Sequence, residues 1–207
     1  MSEEIRVRRS RPTMSEYLRS LVRRPATITT NNALLWGLAW LIAGAIIGWH
    51  FSLVPTSLIS YTWGYIPLLW HLIYALVLWI TSCVAIYAIA LTINRRVALT
   101  ELFGRMLFAH WPVVVLMVPG IVTDRVAYST YMSNVVVSFS QEPLFATLLS
   151  VVVAVVVAWY IFWGYCAFSR SVQRSDATTR ILYIVALVVG FVLSTVTLSQ
   201  LSPEGGV

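Results

Sequence analysis

The residues of this chain that could carry out chemistry are few and widely spaced. The three histidines are His50, His71 and His110. We expect His50 and His71 to lie near the outer ends of consecutive membrane spans, where a third ligand such as Asp124 would be needed to complete a metal site. Histidines that are satisfied locally at the membrane interface are the favoured interpretation. We therefore predict no metal ion and no cofactor.

Sequence motifs that would identify an enzyme are missing as well. The chain contains no HExxH, no phosphate-binding loop and no GxSxG. Cys83 and Cys166 lie inside apolar runs, without the close spacing of a metal site, so we expect them to be packing residues. The protein is accordingly predicted not to be an enzyme.

The composition indicates an integral, all-helical membrane protein, because 59% of the residues are hydrophobic and only 11% are charged. A helical span requires roughly 20 apolar residues. Four stretches exceed that length without Asp, Glu, Lys or Arg: residues 33–54, 66–93, 144–168 and 181–201. Because proton-coupled transporters place carboxylates at membrane depth, the same observation disfavours a proton-coupled mechanism.

A fifth apolar stretch, "ELFGRMLFAHWPVVVLMVPGIV" at 101–122, is less regular. Its beginning is amphipathic, which predicts a helix over 97–109 along the cytoplasmic interface, with Arg105 at headgroup level. A span over about 106–122 follows. Proline removes an amide donor and disturbs a helix, so we expect a change of direction here. The candidate helix break or cavity consists of His110, Trp111, Pro112 and Pro119.

The arginines predict the orientation of these spans. If the fifth stretch crosses the membrane, all the arginine blocks fall on one side, as the positive-inside rule requires for the cytoplasm. Four spans fit this rule less well. We therefore predict a cytoplasmic arm over 1–32 and a five-helix transmembrane domain over 33–207, with the C-terminus outside. The short loops favour a bacterial inner membrane.

The cytoplasmic surface offers candidate contacts. Thr13 and Glu16 have the spacing of a capping box, which predicts a short helix lying on the membrane ahead of Pro25. Anionic headgroups are the favoured partner, docking of a protein is the alternative, and no nucleic acid is expected. The candidate lipid or partner contacts are Arg19, Arg23, Arg24, Arg95, Arg96 and Arg105.

Two further features concern packing. Gly44 and Gly48 form a GxxxG pair, for which contact within the monomer is favoured over a homodimer. Tryptophans near the inner end of the fourth span, such as Trp159 and Trp163, are interpreted as anchors at the membrane interface.

The chain resembles the Yip domain family of membrane proteins. "LVRRPATITTNN" is similar to the segment before the first span of bacterial members, and "ELFGRMLFAHWPVVVLMVP" is similar to the family's entry into its third span. The "DLYGP" type element of eukaryotic members is missing from this sequence, and no functional residue carries over. The resemblance implies a non-enzymatic membrane protein involved in membrane organisation or traffic.

Two functions follow as expectations. The first is a scaffold or interaction protein acting at the cytoplasmic face, as the arginine blocks indicate. The second is a small transporter, or the substrate-binding membrane subunit of one, because discontinuous helices often line binding sites.

Overall fold

The computed structural model describes residues 24–57, 61–115, 117 and 143–201. The described part is mostly helical, which confirms the predicted class. The predictions made for residues 1–23, including the Thr13 to Glu16 helix, Arg19 and Arg23, lie outside the described residues. So do those made for Pro119 and Asp124.

The elements follow the chain in a simple order. They are α1 (Arg24–Thr27), α2 (Thr30–Phe51), β1 (Leu53–Pro55), β2 (Tyr61–Trp63), α3 (Leu68–Ile93), α4 (Leu99–Ala109), α5 (Pro112–Val115), α6 (Pro143–Val172) and α7 (Ala177–Gln200).

Four helices are long and apolar enough to cross a membrane, namely α2, α3, α6 and α7. They coincide with the four long apolar stretches, since no charge interrupts those stretches and local signals end them. Pro67 precedes α3, and the Asp176 carboxylate accepts a hydrogen bond from the Thr179 amide at the start of α7. Large apolar side chains are exposed on all four helices, as expected for helices that face lipid.

A short antiparallel ribbon connects α2 to α3, and its first strand includes Leu53 and Val54, which were predicted to belong to the first span. Leu53 pairs with Trp63 and Pro55 pairs with Tyr61. Ser52 ends α2 in the left-handed conformation, with φ of 56°. That turn directs β1 back beneath the end of α2, where Leu53 is fully buried.

Contacts near the two ends of α3 fix its relation to α6 and α7. At its first half, the Tyr74 hydroxyl donates to the Leu201 carbonyl at 3.3 Å. At its C-terminal end, the Asn94 amide donates to the Val172 carbonyl at 3.4 Å. The C-terminal ends of α3 and α6 therefore lie together, and the end of α7 lies near the beginning of α3.

The segment formed by α4 and α5, called the third segment below, runs beside α2 in the same direction. Residue numbers increase in the same direction along α2 and along the residues of the third segment that contact it. The pairs are Leu34 with Gly104, Gly37 with Leu107, Trp40 with Trp111, and Gly44 with Val114.

This placement corrects the prediction of a surface helix over 97–109. The first turn of α4 is exposed at Leu99, but most of the helix is buried against α2 and α6. Its apolar side faces other helices instead of acyl chains, and an amphipathic pattern by itself does not distinguish these two environments. The buried residues of α4 are Leu102, Gly104, Arg105, Met106, Leu107, Phe108 and Ala109.

Candidate functional site

At the predicted helix break, the third segment forms a tight turn of the 3₁₀ type. The amides of His110 and Trp111 donate to the Leu107 and Phe108 carbonyls, three residues back, at 3.2 and 3.4 Å. Pro112 has no amide proton to offer the Phe108 carbonyl, and the tighter turn satisfies that carbonyl through Trp111. The expected change of direction does not occur here, because Trp111 and Val114 on either side of Pro112 both remain against α2.

Aromatic side chains hold this turn in place. The Trp111 ring stacks on Trp40 of α2, with ring centroids 5.2 Å apart, and meets Trp159 of α6 edge to face at 4.9 Å. Phe108 stacks on Trp163, which is buried. Trp159 and Trp163 therefore pack the third segment against α6, and the burial of Trp163 corrects its interpretation as an interface anchor. Aromatic pairs of this kind add about 0.5–1.5 kcal/mol each beyond the area they bury.

A cavity of about 50 Å³ lies beside the tight turn, between α2, α3, β1 and the third segment. This volume exceeds the space that one water molecule requires. His71 and His110 both line the cavity, together with Tyr61 and Met117. Most of the remaining lining is apolar. Of the predicted break residues, His110 therefore borders the cavity, whereas Pro112 is buried and is not part of its wall.

His71 is the most enclosed polar residue at this cavity, with 2% of its surface exposed. Its Nδ1 lies 3.4 Å from the Pro67 carbonyl oxygen, in the first turn of α3. Its Nε2 is buried and has no hydrogen-bond partner among the described residues. Gly48 allows this ring to approach α2, because a Cβ there would lie 3.2 Å from His71 Cδ2 and 2.9 Å from the Leu53 carbonyl oxygen.

The structure places the three histidines in different surroundings. His50 is exposed and meets Phe51 edge to face, while His71 shares its cavity with His110. No group of three or more His, Cys, Asp or Glu side chains in the described ranges could hold a metal ion. The cavity shared by His71 and His110 was not predicted, because the in-step alignment of α2 with the third segment has no signal in the sequence.

The glycine pair of α2 packs within the chain. Gly44 faces Val114, and Gly48 faces His71 and Leu53. The closest approach of α2 to the backbone of a neighbouring helix lies elsewhere, at Gly37, where an added Cβ would be 2.8 Å from the carbonyl carbon of Leu107. Gly37 stands seven residues before Gly44, so a search for glycines four residues apart does not find it.

The exposed arginines gather at the opposite end of the bundle from the cavity. Loops and helix ends at that end carry Arg95, Arg96, Arg170, Arg174 and Arg180, all exposed. The described acidic residues, Glu101 and Asp176, lie at the same end. Asp176 caps α7, and hydrogen bonds from Thr179 lower the pKa of its carboxyl group. Arg24 begins α1, which packs against α6.

Arg105 does not belong to this exposed group, which corrects its assignment as a headgroup contact. Only 7% of the residue is exposed. One guanidinium nitrogen donates to the Ala26 carbonyl at 3.1 Å, and another lies 3.1 Å from a Glu101 carboxylate oxygen. The chain around α1 covers the side chain, so Arg105 fastens the beginning of the described chain to α4.

No protein-family model, curated protein or solved structure matches this chain. What the fold and the site define is a class: a helical protein with four helices long and apolar enough to span a membrane, an arginine-rich end and a small cavity near the other end.

Proposed function

We propose that the protein is a five-span, non-enzymatic membrane protein whose arginine-rich end binds anionic phospholipid headgroups and serves as a scaffold for partner proteins. The observation that carries this proposal is the grouping of Arg95, Arg96, Arg170, Arg174 and Arg180 at one end of an otherwise nearly uncharged bundle. Each arginine near an anionic membrane surface contributes about 1 kcal/mol of attraction. The proposed place of action is the cytoplasmic face of a bacterial inner membrane.

The five-span arrangement is supported by helix ends that meet. α3 and α6 both end at the arginine-rich end, where Asn94 bonds to Val172. The chain between these helices must therefore return to the other end before α6 begins. The in-step pairs from Leu34–Gly104 to Gly44–Val114 favour the third segment as this additional crossing. The positive-inside rule then favours a cytoplasmic arginine-rich end.

Lipid retention tests the headgroup contact. We expect protein purified in mild detergent to retain anionic phospholipids in preference to zwitterionic ones, as measured by lipid mass spectrometry. Replacing the five exposed arginines with Gln should abolish this preference. The matched set with Lys should keep it, because Lys preserves the charge. Equal retention by the Gln and Lys sets would contradict the proposed contact.

Site-specific cross-linking tests the scaffold role. A photoreactive residue at Arg96 should capture a defined protein partner in intact membranes, whereas one at Tyr65, at the opposite end, should not. Capture of the same species from both positions, or of none from Arg96, would argue against a partner at the arginine-rich end. The resemblance to the Yip domain family supports a role in membrane organisation or traffic for the protein together with such a partner.

A second candidate function is that of a small transporter or a substrate-binding membrane subunit. The specific observation that favours it is the cavity at the His110 turn, which lies inside the bundle. Mass spectrometry of the denatured protein, with elemental analysis of the native protein, should then show a bound small molecule or ion that is lost when Ala45, in the cavity wall, is replaced by Leu. A cavity-filling variant with the same bound species would argue against this function.

A further inference from the structure

The feature that indicates a ligand site is the buried ring of His71, whose Nε2 has no hydrogen-bond partner of suitable geometry in the described part of the chain. The ring is 2% exposed, and its Nε2 lies among groups that offer it no hydrogen bond of suitable geometry. A buried polar group without a partner costs about 1–3 kcal/mol. A ligand that uses this nitrogen would recover that cost.

Two carbonyl oxygens approach this ring. That of Pro67 lies 3.4 Å from Nδ1, and that of Leu53 lies beside Gly48 on the side of Nε2; each can only accept a hydrogen bond. In the neutral tautomer that donates from Nδ1 to Pro67, Nε2 carries a lone pair that can bind a ligand. Histidines that bind metal ions typically show this arrangement, in which a backbone carbonyl fixes the tautomer and leaves the second nitrogen as the ligand.

The lone pair lies on the side of the cavity. His71 Cδ2 and Nε2 are the ring atoms nearest to Gly48, which lines the cavity. The Leu53 carbonyl oxygen lies beside the same glycine. This oxygen adds partial negative charge to the wall, so the environment of Nε2 favours a cation.

Two more donors reach the same cavity from the third segment. His110 comes from the tight turn, and Met117 comes from just beyond α5, where its side chain is buried. An imidazole can ligate several transition metals, but a thioether selects a soft ion. No carboxylate or thiolate lines this cavity in the described part of the chain.

We propose that His71 Nε2, the imidazole of His110 and the thioether of Met117 form a binding site for a copper(I) ion. Zinc is usually held by thiolates, imidazoles and carboxylates, so Met117 does not suit it. A neutral ligand set in apolar surroundings also favours a monovalent ion, because burial of a larger charge costs more. This site rests on the second candidate function, whose cargo it specifies, and it is independent of the lipid contact.

Anaerobic titration with copper(I) against a chromogenic chelator tests the proposal. The full-length protein in detergent should bind one copper(I) ion per chain and compete with the chelator. Met117→Leu preserves side-chain volume and should weaken binding by about tenfold or more, as should His71→Gln. The matched controls are Met106→Leu and His50→Gln, because neither residue lines the cavity, and both should bind like the unmodified protein.

Two readouts keep the result independent of folding. Melting temperatures of the metal-free variants identify any that fail to fold, and X-ray absorption of the copper-loaded protein should show one sulfur and two nitrogen ligands. The proposal is overturned if the unmodified protein competes no better than His71→Gln, or if a folded Met117→Leu binds copper(I) with unchanged affinity. A bound organic molecule without copper affinity would overturn the copper site while leaving the second candidate function intact.

Discussion

The contact between α2 and α4 at Gly37 yields a sharp prediction. A Cβ added at Gly37 would lie 2.8 Å from the carbonyl carbon of Leu107 and 2.8 Å from the amide nitrogen of Phe108. Comfortable contacts between carbon atoms begin at about 3.5 Å, so Gly37→Ala forces the two helices apart by about 0.7 Å. The end of a side chain could rotate to avoid the added Cβ, but these backbone atoms cannot.

The magnitude follows from a matched variant on the same helix. Overpacking costs about 1–3 kcal/mol, whereas Gly to Ala in a helix gains about 1 kcal/mol of propensity. Gly44→Ala has the same propensity gain, but its Cβ would lie 3.1 Å from a Val114 methyl group, which needs to yield less. Gly37→Ala should therefore be less stable than Gly44→Ala by about 1–2 kcal/mol, since the propensity gain cancels.

Reversible unfolding in mixed detergent micelles provides the assay, with the unfolding midpoints of both variants and the unmodified protein compared. We expect Gly37→Ala to unfold at the lowest denaturant concentration. If Gly37→Ala matches or exceeds the stability of Gly44→Ala, the close approach of α4 to α2 is refuted.

Three other predictions concern single contacts. Arg105→Ala should release the chain around α1 and increase thermolysin cleavage before Ile28, because a charged hydrogen bond contributes about 1.5–3 kcal/mol; unchanged cleavage would contradict this anchoring role. Hydrogen bonds lower the pKa of Asp176 in the folded state, so its contribution to stability is present at neutral pH and is lost as pH falls through that lowered pKa. Asp176→Asn should lose this part of the acid dependence in melts between pH 7 and pH 3, and an unaltered profile would argue against the cap. Gly164→Ala would overlap the Tyr183 hydroxyl and lower the melting temperature, and Tyr183→Phe should restore part of the loss; no rescue would contradict the overlap.

The four long helices could be predicted from the sequence because uninterrupted apolar length is a direct physical requirement for crossing a bilayer. The observed helix ends differ from the predicted ones by only a few residues. For example, α2 begins at Thr30, whereas the first span was predicted to begin at residue 33. Polar residues such as Thr30 are tolerated there because the ends of a span lie near the headgroups.

The third segment could not be predicted in the same way. Its apolar face was assigned to the membrane surface, but Leu107 and Phe108 pack against Gly37 of α2. The pattern of α4 fixes which face is apolar, but not which neighbour covers that face. Gly104 and Gly37 act together only because the two helices run in step, and that register depends on tertiary packing.

The cavity required the same information. His71 and His110 are 39 positions apart in the sequence and lie on different helices. The expectation that His50 and His71 lie near the outer ends of consecutive spans used span ends alone. In the structure, Gly48 admits the His71 ring beneath α2 while His50 points away from the bundle interior. Small residues, more than the histidines themselves, decide which side chains share the cavity.

Side-specific cysteine labelling tests the five-span arrangement most directly. Arg96→Cys, Ser175→Cys and Tyr65→Cys place exposed thiols at three turns, against the background of Cys83 and Cys166 in the unmodified protein. A membrane-impermeant maleimide should label positions 96 and 175 from the same side, the cytoplasm, and position 65 from the other. Labelling of 96 and 175 from opposite sides would contradict the account, since the third segment would then not cross.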